Sequence, residues 1–66
     1  MTIDELKQKL VDNTLERGVF TAGNKIVEIY ANGFDIKTPQ DNGWIRINSY
    51  QYFRDDDTWV ESETYE

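Results

Sequence analysis

Sixty-six residues carrying 13 acids, seven bases, no cysteine and no histidine describe one small acidic domain with a thin core, since a chain of this size buries only about 60 % of its unfolded surface. Without cysteine there is no disulfide framework and no thiolate metal site; without histidine the commonest general base, metal ligand and pH switch are gone. No apolar run approaches the ~20 residues of a transmembrane helix, and the opening MTIDELKQKL lacks the basic-then-apolar pattern of a signal peptide, so the chain reads as an intact cytoplasmic protein starting at its own Met1.

A helix is predicted over residues 2–17. Thr2 is a natural N-cap, Glu5 three residues later completes a capping box, and Met1 is placed to pack on Leu6 as a hydrophobic staple. Ile3, Leu6, Leu10, Val11 and Leu15 form one apolar stripe, Asp4 and Glu5 suit the positive end of the dipole, and Gly18 is the expected stop. One modest stripe needs a sheet to lie on.

Strands follow. Residues 19–22 and 25–31 flank a Gly23-Asn24 turn. Asn32-Gly33 is the clearest hairpin signal, because a type I′ turn needs positive φ at both central positions. It sets Ala31 opposite Phe34, Ile29 opposite Ile36 and Glu28 opposite Lys37. Residues 34–38 lead into a loop at Pro39–Gly43, with Pro39 ending the ladder. The long strand 44–54 is registered with Ile36 opposite Ile45 and Asp35 opposite Arg46. A four-residue loop at 55–58 then sets Phe53 opposite Val60, Arg54 opposite Trp59 and Tyr52 opposite Glu61 before the last strand, 58–65.

The predicted architecture is α+β: an N-terminal helix packed on one face of a four- or five-stranded antiparallel β-meander, one domain over residues 1–66. Its expected core is Leu6, Leu10, Val27, Ile29, Phe34, Ile36, Ile45, Ile47, Phe53 and Val60. The face left uncovered would then show Tyr30, Trp44, Arg46, Tyr50, Tyr52, Arg54, Trp59 and Tyr65, fringed by Glu28, Glu61 and Glu63. Exposed Trp, Tyr and Arg are the side chains that dominate binding hot spots. The plainer reading of the same residues is cross-strand packing, with Arg54 stacked on Trp59.

Charge sharpens the choice. Residues 1–54 balance seven acids with seven bases, so the whole net charge of −6 falls in residues 55–66. Such a segment repels nucleic acid and anionic membranes and attracts basic surfaces; at its plainest it is a solvated turn and tail. Direct single-strand nucleic-acid binding through the aromatics and Arg46 and Arg54 is disfavoured by the same charge. Glu61 and Glu63, about 6.6 Å apart along a strand, are compatible with paired-acid chemistry, but so small a domain offers little concavity for a substrate, and the chain is read as non-enzymatic. Asp55-Asp56-Asp57 lacks the alternating spacing of a calcium loop, and no metal or cofactor is expected.

The expected role is therefore protein binding through Trp44, Tyr50, Tyr52, Asp55, Asp56, Asp57, Trp59, Glu61 and Glu63. The partner is a protein with a basic surface, such as a nucleic-acid-handling protein, or a second copy making a homodimer through the aromatic face. In size, charge and compartment the chain resembles the small acidic inhibitors encoded by phages and mobile elements, DNA mimics and anti-CRISPR proteins among them. No residue motif carries that likeness, so it assigns no site residues.

Overall fold

A computed structural model describes residues 2–66. One helix, α1 (Ile3–Val11), precedes five strands: β1 (Gly18–Ala22), β2 (Lys25–Ile29), β3 (Gly33–Pro39), β4 (Ile45–Phe53) and β5 (Thr58–Tyr65). The strands form one antiparallel sheet in the order β1-β2-β3-β4-β5, the meander expected from the sequence. Among the described residues no helix is long and apolar enough to cross a membrane. The proposed Met1 staple lies outside the described residues.

The capping box is present. The Glu5 amide donates to Thr2 Oγ1 and the Thr2 amide donates to Glu5 Oε1, each at 3.2 Å. The Thr2 amide, and after it the Thr2 hydroxyl, donate to the Glu5 carboxylate, favour its ionised form and hold it below its ordinary pKa. The helix ends at Val11, well short of the expected residue 17. Asn13 takes positive φ (59°) and closes a Schellman motif, its amide donating to the Leu10 carbonyl at 3.2 Å and that of Thr14 to the Lys9 carbonyl at 2.9 Å. Asn is the residue that most readily stands in for Gly in this conformation, so the helix stops at Asn13, before it reaches Gly18. Arg54 completes the helix end: its guanidinium donates to the carbonyls of Val11 (3.0 Å) and Leu10 (2.8 Å) and to Asn13 Oδ1 (2.6 Å).

All three expected registers after β1–β2 are corrected. In the β2–β3 hairpin Ile29 faces Phe34 and Glu28 faces Asp35, two residues away from the expected pairing. The turn is centred on Ala31-Asn32, with the Tyr30 amide donating to the Gly33 carbonyl at 2.8 Å, and none of these residues has positive φ. Gly33 serves another purpose. A Cβ there would overlap the Tyr50 carbonyl oxygen and stand 3.1 Å from Gln51 Cα, so the glycine permits close approach of β3 to β4. In the β4–β5 hairpin Phe53 faces Thr58, Tyr52 faces Trp59 and Tyr50 faces Glu61, again a slip of two, with 54–57 as the loop. Asp57 supplies its positive φ (53°).

The consequential change is between β3 and β4. Phe34 faces Tyr50, Ile36 faces Asn48 and Pro39 faces Ile45, a slip of three. Pro39 does not end the ladder; it lies past the last β2–β3 pair, where only β4 flanks it. The loop tightens to Asp41-Asn42-Gly43: the Gln40 amide donates to the Trp44 carbonyl (2.8 Å) and the Gly43 amide to the Gln40 carbonyl (3.2 Å), with Gly43 at φ 87°. This is the three-residue hairpin ending in a left-handed glycine. An odd slip exchanges the faces of everything after it.

The helix therefore covers Val27, Ile29, Phe34, Ile36 and Tyr52, which cluster with Leu6 and Leu10, and Val11, Leu15, Tyr50 and Trp59 pack against them. Phe34 is fully buried and Tyr52 is only 6 % exposed. Of the expected core, Ile45, Phe53 and Val60 are exposed. Ile47 is buried but points to the face opposite the helix, as alternation from Tyr50 requires.

Candidate functional site

The residues expected to bind a partner divide into three places. Tyr50, Tyr52, Trp59, Glu61 and Glu63 share the helix-covered face, as their direct pairings require. Asp55, Asp56 and Asp57 occupy the β4–β5 turn at one end of β4. Trp44, 53 % exposed, precedes its other end. Nine strand residues separate them, about 30 Å at the usual rise per residue, so Trp44 and the Asp turn do not form one patch.

Packing takes most of the aromatics out of play. The Phe34 and Tyr50 rings stack with centroids 4.9 Å apart, Phe34 meets Trp59 edge-on at 6.0 Å, and Tyr52 lies 5.0 Å from Trp59. Lys7 on the helix stands 5.4 Å from the centres of both the Tyr50 and Trp59 rings and pairs with Glu61 at 3.4 Å. The expected Arg54–Trp59 stack is replaced by Arg54 over Tyr52, at 5.4 Å. Both tyrosines are held above the ordinary phenol pKa: Tyr52 chiefly because its hydroxyl donates to Asp57 Oδ1 at 2.6 Å, Tyr50 chiefly by burial and then by Glu61.

What stays accessible is acid. Every β5 residue except Trp59 is exposed, and β5 is an edge strand. Glu61 and Glu63 stand on one face of it. Each is steadied from inside the fold, Glu61 by Lys7 and Glu63 by Asn48 Nδ2 at 3.2 Å. The ladder runs to the last residue, Ile45 and Glu66 exchanging backbone hydrogen bonds at 2.9 and 3.0 Å. Among the described residues no three His, Cys, Asp or Glu side chains converge as a metal would need.

A groove beside this strand was not anticipated. Nine helical residues are too short to roof the whole sheet, and beyond the first turn of α1 a cleft of about 550 Å³ opens over Phe20, Val27 and Ile36, with Arg46, Asn48 and Glu63 along one side. Arg46 Nε, on the side of this cleft, and Thr38 Oγ1, on the strand paired with it, are buried without a hydrogen-bond partner among the described residues.

Comparison with protein-family models, with curated proteins and with solved structures found no match to this chain.

Proposed function

We propose that the chain is a non-catalytic protein-binding domain that engages a basic partner along β5, in the manner of an inhibitor or accessory factor acting on a nucleic-acid-handling protein. The observation supporting this reading is the concentration of the entire net charge of −6 in residues 55–66, which form an exposed edge strand and the turn that precedes it. An edge strand offers unpaired backbone groups to an added strand. Glu61 and Glu63, two residues apart, repeat at the spacing at which Lys or Arg on an added extended segment would stand opposite them. Opposite charge steers the encounter. The anchoring once assigned to Tyr52 and Trp59 passes to the groove beside Glu63, which receives an apolar side chain from the partner.

The test is a titration of a labelled extended peptide with alternating Lys and Val against the protein. Saturable binding at ~0.05 M salt, weakened at ~0.5 M where surface charge is screened within about 4 Å, and weakened again by Glu61→Gln with Glu63→Gln, supports the reading. Absence of binding at the lower salt sinks it, and so does equal binding by the double variant.

A further inference from the structure

The helix covers one face of the sheet; the other face has no partner within the chain. Alternation along the observed registers places Val19, Ile26, Ile45, Ile47, Phe53 and Val60 on it. Ile26, Ile45 and Phe53 are each about two-fifths exposed, and Val19 and Val60 more. Large apolar side chains grouped on one sheet face are costly to leave in water.

The charge pattern identifies what fits there. The β4–β5 half of this face is Ile45, Ile47, Ser49, Gln51 and Phe53 beside Thr58, Val60, Ser62 and Thr64, and its one charged side chain is Glu66, paired with Ile45 at the far end. Elsewhere the face carries Glu28, Asp35 and Lys37. Glu28 and Asp35 stand directly opposite each other, and the Tyr30 hydroxyl bridges them, at 2.7 Å from Asp35 Oδ2 and in close contact with Glu28 Oε2. Of the six acids in residues 55–66, Glu61 and Glu63 lie on the other face, Asp55, Asp56 and Asp57 lie in the turn, and Glu66 alone stands on this one. Stacking two copies through the apolar β4–β5 halves of these faces keeps Glu61, Glu63 and the 55–57 turn of each copy pointing outward, which limits like-charge contact between them. The relief matches as well: a hollow of about 210 Å³ between Tyr30 and Gln51 lies on the same face as the Phe53 and Val60 projections, and a two-fold interface requires knob and hole on one surface.

We infer that the chain forms a symmetric homodimer by stacking the uncovered faces of two sheets into a sandwich, centred on Ile47, Phe53 and Val60. Five strands of five to nine residues give a footprint of about 500 Å² per copy, so a pair reaches the ~1,000 Å² at which specific interfaces begin. Face-to-face sheets about 10 Å apart are an ordinary packing mode. Such a dimer leaves both β5 edges and both grooves open.

Sedimentation equilibrium decides the matter. The expected result is twice the 7.8 kDa chain mass at ~100 μM, with Phe53→Lys and Val60→Lys each reducing the mass to one chain. Both positions are exposed, so both variants keep the wild-type circular dichroism at low concentration. Glu61→Gln with Glu63→Gln, which tests β5 binding, leaves the dimer intact, so the two proposals fail separately. A single-chain mass up to ~1 mM overturns the inference, and so does a dimer that survives both lysine variants.

Discussion

Phe34 and Phe53 are the same residue in neighbouring strands of one sheet, yet Phe34 is 0 % exposed and Phe53 is 42 % exposed. The helix lies over the first and not the second, and that difference separates the two faces of the molecule. The covered face is built from mixed partners: aliphatics from β2 and β3, tyrosines and a tryptophan from β4 and β5, and a lysine laid across two rings. The open face carries branched aliphatics and Phe53 interspersed with serine and threonine, and Glu28, Asp35 and Lys37 on β2 and β3. Hydrophobicity alone would have put the isoleucines of β4 inside and its tyrosines outside. Inside, Tyr52 keeps a partner for its polar end in Asp57, as buried Tyr usually must, and Lys7 lies over the Tyr50 and Trp59 rings.

The largest expected effect comes from the centre of the covered face. Phe34→Ala should cost about 3–5 kcal/mol, much of what a domain this size has to lose, and urea titration should find it largely unfolded. Gly33→Ala comes next. The new methyl has no room against the Tyr50 backbone, and prising β3 from β4 should cost about 1–3 kcal/mol; hydrogen exchange should show the Tyr52 amide, bonded to the Asn32 carbonyl at 2.7 Å, losing protection first. Arg54→Met keeps an apolar stem of similar length and removes three hydrogen bonds to the helix end, for an expected loss of about 1–2 kcal/mol, with the helical circular-dichroism signal falling most.

Alkaline pH probes the tyrosines of both faces together. Tyr30, Tyr50 and Tyr52 are all raised above their ordinary pKa, the first chiefly by its hydrogen bonds to Glu28 and Asp35. A raised phenol binds its proton more tightly when folded. Its contribution is thus complete below the unfolded pKa of ~10 and is lost as pH climbs through the folded values. The thermal midpoint should fall above about pH 10, and less steeply in Tyr52→Phe. The smallest effect belongs to the open face. Val60→Ser, measured in urea at a concentration that keeps the protein monomeric, should change stability by no more than about 0.5 kcal/mol. A cost comparable to that of Phe34→Ala would mean that the open face is part of the monomer's core.

The elements and their order were legible in the sequence, because capping chemistry, alternation and turn residues are local. So was the core contributed by α1, β2 and β3. Registers were not. Asn32-Gly33 looked like a type I′ turn, but a glycine that admits a neighbouring strand and a glycine that turns the chain are the same letter. In Pro39–Gly43 the proline suggested a break where a strand end facing only one neighbour tolerates it. The resulting slip of three exchanged the faces of β4 and β5, and with them the candidate site: the acids of residues 55–66 remained outside while Tyr50, Tyr52 and Trp59 moved under the helix. The groove could not be foreseen because it depends on where the first turn of the helix comes to lie across the sheet, a tertiary placement that local signals do not fix.

The hold of Arg54 on the end of the helix bears on the order of folding. Every strand pairs with its neighbour in sequence across a short loop, so the sheet closes through local steps of the kind that make folding fast. The Arg54 bonds join residues 41 to 44 positions apart and unite the first element with the last hairpin, so they form late. A contact absent from the transition state changes the unfolding rate and leaves the folding rate alone. Arg54→Met should therefore steepen nothing on the refolding side of a chevron while raising its unfolding limb. In this chain one arginine sets how long the folded state lasts, not how quickly it is reached.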